Sequence, residues 1–130
     1  MFRKLITQIG WFVIVGCAAA ATHWAVAVTC VAQAGLPPLL ANVAGWLVAF
    51  WVSFVGHYRL TFRHQHASLW RSASRFFLVS ALGFAINEAA YATLLTMTTI
   101  PYDILLALVL IGIAGMTFIL GRYWAFRRSH

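Results

Sequence analysis

The stretch Arg75-Phe76-Phe77-Leu78-Val79-Ser80-Ala81-Leu82-Gly83-Phe84-Ala85-Ile86-Asn87-Glu88-Ala89-Ala90-Tyr91-Ala92-Thr93-Leu94-Leu95 decides the fold. Beyond its arginine it runs apolar to Leu95 with a single formal charge, Glu88. An α-helix needs about 20 such residues to cross the hydrocarbon core of a bilayer. Three further runs repeat the pattern: Ile9 to Val31, Leu39 to Gly56 and Ile104 to Leu120. Gly35-Leu36-Pro37-Pro38 separates the first from the second, and Thr98-Thr99-Ile100-Pro101-Tyr102-Asp103 the third from the fourth. Glycine and proline there are turn chemistry.

Composition leads to the same conclusion. Of 130 residues, 63% are hydrophobic and 8% charged, and the mean hydropathy is +0.87. Soluble domains carry about a quarter charged residues. A soluble fold this small leaves too much surface in water to hide the apolar excess, so that excess faces lipid. Four spans and their connections use nearly the whole chain. The expectation is an all-α membrane protein, a single transmembrane domain over residues 1–130.

The net charge of +7 comes from nine basic and two acidic residues. Arg3 and Lys4 precede the first span. Arg59, Arg63, Arg71 and Arg75 lie between the second and third, and Arg122, Arg127 and Arg128 follow the fourth. The two Gly/Pro loops contain no Lys or Arg. Every basic residue therefore falls on one side, which the positive-inside rule makes cytoplasmic, together with both termini. Trp11, Trp70 and Trp124 lie near that boundary, where indole rings prefer to sit. Counter-charges at this place are lipid headgroups or a lipid phosphate rather than nucleic acid.

The N-terminus mimics export signals. Ile14-Val15-Gly16-Cys17 resembles a lipoprotein cleavage box and Ala25-Val26-Ala27 a signal peptidase site. The apolar run continues past both, so an intact first helix is expected. Cys17 and Cys30 fall on that helix about 20 Å apart by helical rise, too far to pair.

The two halves align without a gap. Phe12 falls on Phe76, Val15 on Val79, Ala21 on Ala85, Pro37 on Pro101, Phe54 on Phe118, Phe62 on Phe126 and Arg63 on Arg127. The unit is a helical hairpin with an aromatic-basic exit, repeat one covering about residues 1–66 and repeat two about 67–130. Two spans per unit make the repeats parallel, a plan that transporters use with sites at the repeat interface.

Two motif pairs carry a family resemblance. Trp11-Phe12-Val13-Ile14-Val15-Gly16 and Arg75-Phe76-Phe77-Leu78-Val79 open spans one and three. Phe54-Val55-Gly56-His57-Tyr58-Arg59-Leu60-Thr61-Phe62 and Phe118-Ile119-Leu120-Gly121-Arg122-Tyr123-Trp124-Ala125-Phe126 close spans two and four. Over essentially its whole length the chain resembles the GtrA-like family of small bacterial membrane proteins. It departs from the family pattern where His57 and Gly121 replace an asparagine, and where His23 replaces the asparagine that Asn87 keeps. The resemblance implies a place in the bacterial inner membrane and a part in cell-surface polysaccharide synthesis. Its members are proposed to move polyprenyl-phosphate-linked sugars or to assist glycosyltransferases.

Glu88 is the first candidate for a substrate-binding residue. It lies about 18 Å into its span by helical rise, where a carboxyl costs several kcal/mol unless paired or protonated. It is either a proton-coupled switch or sugar contact, or a neutral acid bonded to a neighbouring helix. His23 aligns with Asn87, so pseudo-symmetric packing would let His23 approach Glu88; alternatively His23 only donates one hydrogen bond between helices. Arg59, Arg63, Arg75, Arg122 and Arg127 are either topology signals snorkelling to headgroups or bidentate ligands of a lipid phosphate. Trp24, Trp46 and Trp51 are read as helix packing or lipid contact, and Gly16 with Ala20 and Gly45 with Ala49 as close-contact surfaces. Asp103 is expected to cap the fourth helix. His64 and His66 lack a third ligand, so no metal site is read. No nucleophile–base pair and no phosphate-cradling loop stands out, so neither catalytic residues nor a cofactor are expected.

The functional expectation is a carrier for polyprenyl phosphate or its sugar conjugates. The alternative is a non-transporting partner that recruits a membrane glycosyltransferase. A third reading is a small proton-coupled multidrug exporter, but such exporters carry their glutamate in the first span. Four helices enclose little space, so a homodimer is expected.

Overall fold

The computed structural model describes residues 1–63, 68–120 and 123–124, with only the backbone of residues 117 and 118. Four helices follow one another: α1 Phe2–Ala34, α2 Pro38–Gly56, α3 Leu69–Met97 and α4 Tyr102–Leu120. A π-helical turn, His57–Thr61, prolongs α2. Among the described residues, three helices are long and apolar enough to cross a membrane, Phe2–Ala34, Pro38–Thr61 and Leu69–Met97. α4 is shorter and equally apolar; its 19 residues span about 28 Å. α1 and α3 begin well before the apolar runs at Ile9 and Phe76, because nothing in Phe2–Gln8 or Leu69–Arg75 breaks a helix.

The turns follow local chemistry. α1 stops at Gly35, whose φ of 69° is left-handed and suits only glycine without strain. Leu36 N–H then reaches back to the Cys30 carbonyl at 3.1 Å, satisfying an orphan acceptor. Pro38 occupies the first turn of α2, where a missing N–H costs nothing. At α4 the capping position falls to Pro101, not Asp103. Asp103 sits inside the first turn, and its Oδ1 accepts from Ile104 N–H at 2.9 Å. The carboxylate still satisfies one orphan donor, from a different register than the sequence suggested.

α1 packs along α2 over the longest interface, α3 along α4, and α2–α3 and α1–α4 contacts close the ring. The buried stripe of α1 is Val15, Ala19, His23 and Ala27. That of α3 includes Val79, Gly83, Asn87 and Tyr91. Aligned on Phe12 and Phe76, the two series occupy equivalent positions. Ala41, Asn42 and Gly45 of α2 likewise match Leu105, Leu106 and Val109 of α4, all buried.

Two apolar clusters form the ends of the bundle. Ala27, Ala41, Tyr91, Leu105 and Leu106 pack near the Pro37 and Pro101 turns. Phe54, Phe62, Phe76 and Val79 pack at the basic end. Small residues allow the close approach of α1 and α2. A Cβ added at Gly45 would stand 2.6 Å from the His23 carbonyl oxygen, and one at Gly56 2.6 Å from a Val15 methyl. Gly16, by contrast, has open space before it, so it makes no such contact. Trp46 packs between helices as expected, stacked on Phe84 with Nε1 donating to Ser80 Oγ at 2.8 Å. Trp24 Nε1 donates to the Asp103 carbonyl at 3.0 Å, tying α1 to α4.

Candidate functional site

Between the two apolar clusters lies a chain of three polar side chains from three helices. His23 Nε2 donates to Asn42 Oδ1 at 2.6 Å, and Asn42 Nδ2 donates to Asn87 Oδ1 at 2.7 Å. An amide oxygen only accepts, so Nε2 is the protonated ring nitrogen. The relative exposures of His23, Asn42 and Asn87 are 6%, 0% and 2%, which leaves these groups no solvent to satisfy them. Asn42 thus joins α1, α2 and α3 by bonding at both ends. His23 lies about 18 Å from the Gly35 turn by helical rise, near mid-depth of a bilayer.

A cavity of about 360 Å³ opens beside this chain, towards the basic end. His23 and Asn87 line its inner end, and Phe12, His57 and Phe76 its basic end. Its lining draws equivalent positions from both halves, among them Phe12 with Phe76, Gly16 with Ser80, Ala19 with Gly83, and His23 with Asn87. The walls are overwhelmingly apolar, with aromatic rings from Trp46, Phe50 and Phe84. His57 is 2% exposed, stacks on Phe12 with centroids 5.0 Å apart, and meets Phe76 edge-on at 5.8 Å. Its Nδ1 hydrogen-bonds Thr61 Oγ1 at 2.9 Å across the π-helical turn. Such turns widen a helix locally and often mark functional positions.

The sequence-derived candidates separate into three groups. His23 and Asn87 come together through Asn42 and line the cavity. Glu88 does not line it. Its carboxyl lies near the Asn42 amide, with Oε1 enclosed and without a hydrogen bond among the described residues. His23 bonds Asn42 instead of Glu88, because one residue along α3 turns Glu88 by about 100° from the Asn87 stripe. Arg59 and Arg63 are exposed and Arg75 half-buried, all at the basic end. Arg122 and Arg127 lie outside the described residues, as do His64 and His66.

Two residues of the site escaped sequence reasoning, Asn42 and His57. Asn42 is an uncharged amide in an otherwise apolar span, and formal charge alone does not reveal it. The expense of any polar side chain at bilayer depth is the signal that marks it. His57 stood out only as a replacement within the span-two exit.

A ring of apolar helices around a cavity with a polar inner end defines a small polytopic membrane protein. The chain belongs to the GtrA/DPMS transmembrane-domain family, whose pattern matches residues 11–126. Membership ties it to glycosyl-lipid carriers and polysaccharide biosynthesis. No curated protein and no solved structure matches the chain.

Proposed function

We propose that the protein carries polyprenyl phosphate, or a polyprenyl-phosphate-linked sugar, across the bacterial inner membrane, with both termini cytoplasmic. The observation that carries this reading is the cavity itself. It lies between equivalent positions of the two halves, with largely apolar walls, His23 and Asn87 at mid-depth and His57 at its basic end. Transporters built from parallel repeats hold their ligands at such interfaces. Arg59, Arg63 and Arg75 stand at the basic end of the same bundle, where guanidinium forks meet a phosphate at headgroup depth.

The protein works on a lipid without chemistry of its own and supplies a membrane glycosyltransferase with its donor or clears its product. It functions as a two-fold dimer, since one copy encloses only a small volume.

The test is transfer of a labelled polyprenyl-phosphate sugar between leaflets of liposomes holding the purified protein. Transfer above protein-free vesicles supports the reading. Transfer no faster than in empty vesicles, with a glycosyltransferase still co-purifying from membranes, leaves the recruiting role in its place.

A further inference from the structure

We propose that the seam between α1 and α4 is the lateral doorway of the cavity, and that the isoprenoid tail of the carrier lipid lies in it while its phosphate stays at the basic end. The proposal deepens the transport reading above and rests on it.

The cavity is lined from all four helices, but its lining residues are not equally covered. Those from α2 and α3 are buried or half-buried. The exposed ones are Val13 and Cys17 of α1, and Ile111 and Ala114 of α4. The mouth therefore lies between these two helices. The backbone there is open as well. A Cβ at Gly16, Gly112 or Gly115 would meet nothing within 4 Å. Towards the proline turns the same seam is closed, where Trp24 donates to the Asp103 carbonyl. The result is a slot shut at one end and open to lipid along the middle.

Three observations select the occupant. The slot faces the hydrocarbon of the bilayer, so what enters comes from the membrane. The apolar, aromatic walls match a branched unsaturated chain and offer little to a sugar's hydroxyls. The arginines at the basic end complement a single anionic phosphate at the head of that chain. The His23–Asn42–Asn87 chain closes the inner end of the slot, its members hydrogen-bonded to one another.

The experiment uses the full chain in nanodiscs with a polyprenyl phosphate carrying a diazirine near the head of its tail. Crosslinked peptides are mapped by mass spectrometry. Crosslinks should concentrate on residues 13–17 and 111–114, not on the lipid-facing Leu47 and Trp51 of α2. Unlabelled polyprenyl phosphate should compete, and phosphatidylglycerol should not. Gly16→Phe projects a ring into open space, so it should insert normally and lower the seam crosslinks about tenfold, the effect of losing roughly two buried methylene contacts. Leu47→Phe on the outer face should leave them unchanged. Crosslinks spread evenly over α2 and the seam would overturn the proposal. So would equal competition by phosphatidylglycerol, which would make the slot a general lipid groove, or seam crosslinks unchanged in well-inserted Gly16→Phe. Seam crosslinks in a protein that transfers nothing would remove the transport reading and keep the doorway. Even crosslinking in an active protein would remove the doorway alone.

Discussion

Asn42 Nδ2 donates to Asn87 Oδ1 across 2.7 Å, in the interior of a bundle whose other buried contacts are mostly apolar. His23, which occupies the position in the first half that Asn87 occupies in the second, bonds the opposite side of the same amide. The residue equivalent to Asn42 is Leu106, 1% exposed and packed among Ala27, Ala41, Tyr91 and Leu105. The halves match in position and differ in chemistry, so one asparagine serves both.

This makes Asn42 the most sensitive position of the three. Asn42→Ala strands the His23 ring and the Asn87 amide at once, and should destabilise the fold by roughly 1–3 kcal/mol. His23→Ala and Asn87→Ala each leave one of the two bonds standing and should cost less. Unfolding in mixed micelles with rising dodecyl sulfate orders the variants. Equal losses in all three would mean that losing either bond costs as much as losing both, and would remove the special weight of Asn42.

Glycine positions on α1 and α2 should split sharply. Gly45→Ala forces its Cβ against the His23 backbone, which cannot rotate away, and should cost about 1–3 kcal/mol as overpacking does. Gly56→Ala meets only the Val15 side chain, so Val15→Ala in the same chain should restore most of the loss. Gly16→Ala, facing open space, should be neutral or stabilising by roughly 0.5–1 kcal/mol. The same micelle titration reads all of them.

Glu88→Gln should insert and fold as wild type, because Gln keeps the volume and donates a hydrogen bond as a neutral acid does. If a proton on Glu88 is exchanged during transfer, this variant loses transfer or its dependence on pH, since Gln cannot exchange one. Glu88→Ala should be the less stable of the two, leaving a gap beside the Asn42 amide. The measurement is liposome transfer at several pH values and matched protein abundance. Wild-type rates throughout would reduce Glu88 to a structural residue.

Replacing Arg59, Arg63 and Arg75 with Gln should weaken binding of polyprenyl phosphate without disturbing insertion. Lys at these places should rescue only in part, because an ammonium lacks the planar fork that grips a phosphate bidentately. Binding of a fluorescent polyprenyl phosphate to nanodiscs gives the readout. Unchanged affinity in well-inserted Gln variants would leave these arginines as topology signals.

Reporter fusions check the orientation. Fusions at Pro38 and Tyr102 should report the periplasm, and fusions at Ala67 and His130 the cytoplasm. A cytoplasmic signal at Pro38 would reverse the arrangement on which the phosphate reading depends.

The sequence by itself determined the helical architecture and the membrane as its solvent, because run length and missing charge act locally, one helix at a time. Gly35, Pro37 and Pro101 marked the turns for the same reason, since backbone conformation is set by the residue itself. The family was legible too, in the paired exits around Arg59 and Arg122. The partnership of His23 was not. It turns to Asn42, a choice made by the hairpin's register and by the room Gly45 leaves for the imidazole. The cavity and its mouth between α1 and α4 arise only when four helices close a ring, because a gap belongs to no single residue and depends on which faces meet. The sequence named which side chains are expensive in a membrane; the packing decided which of them satisfy one another.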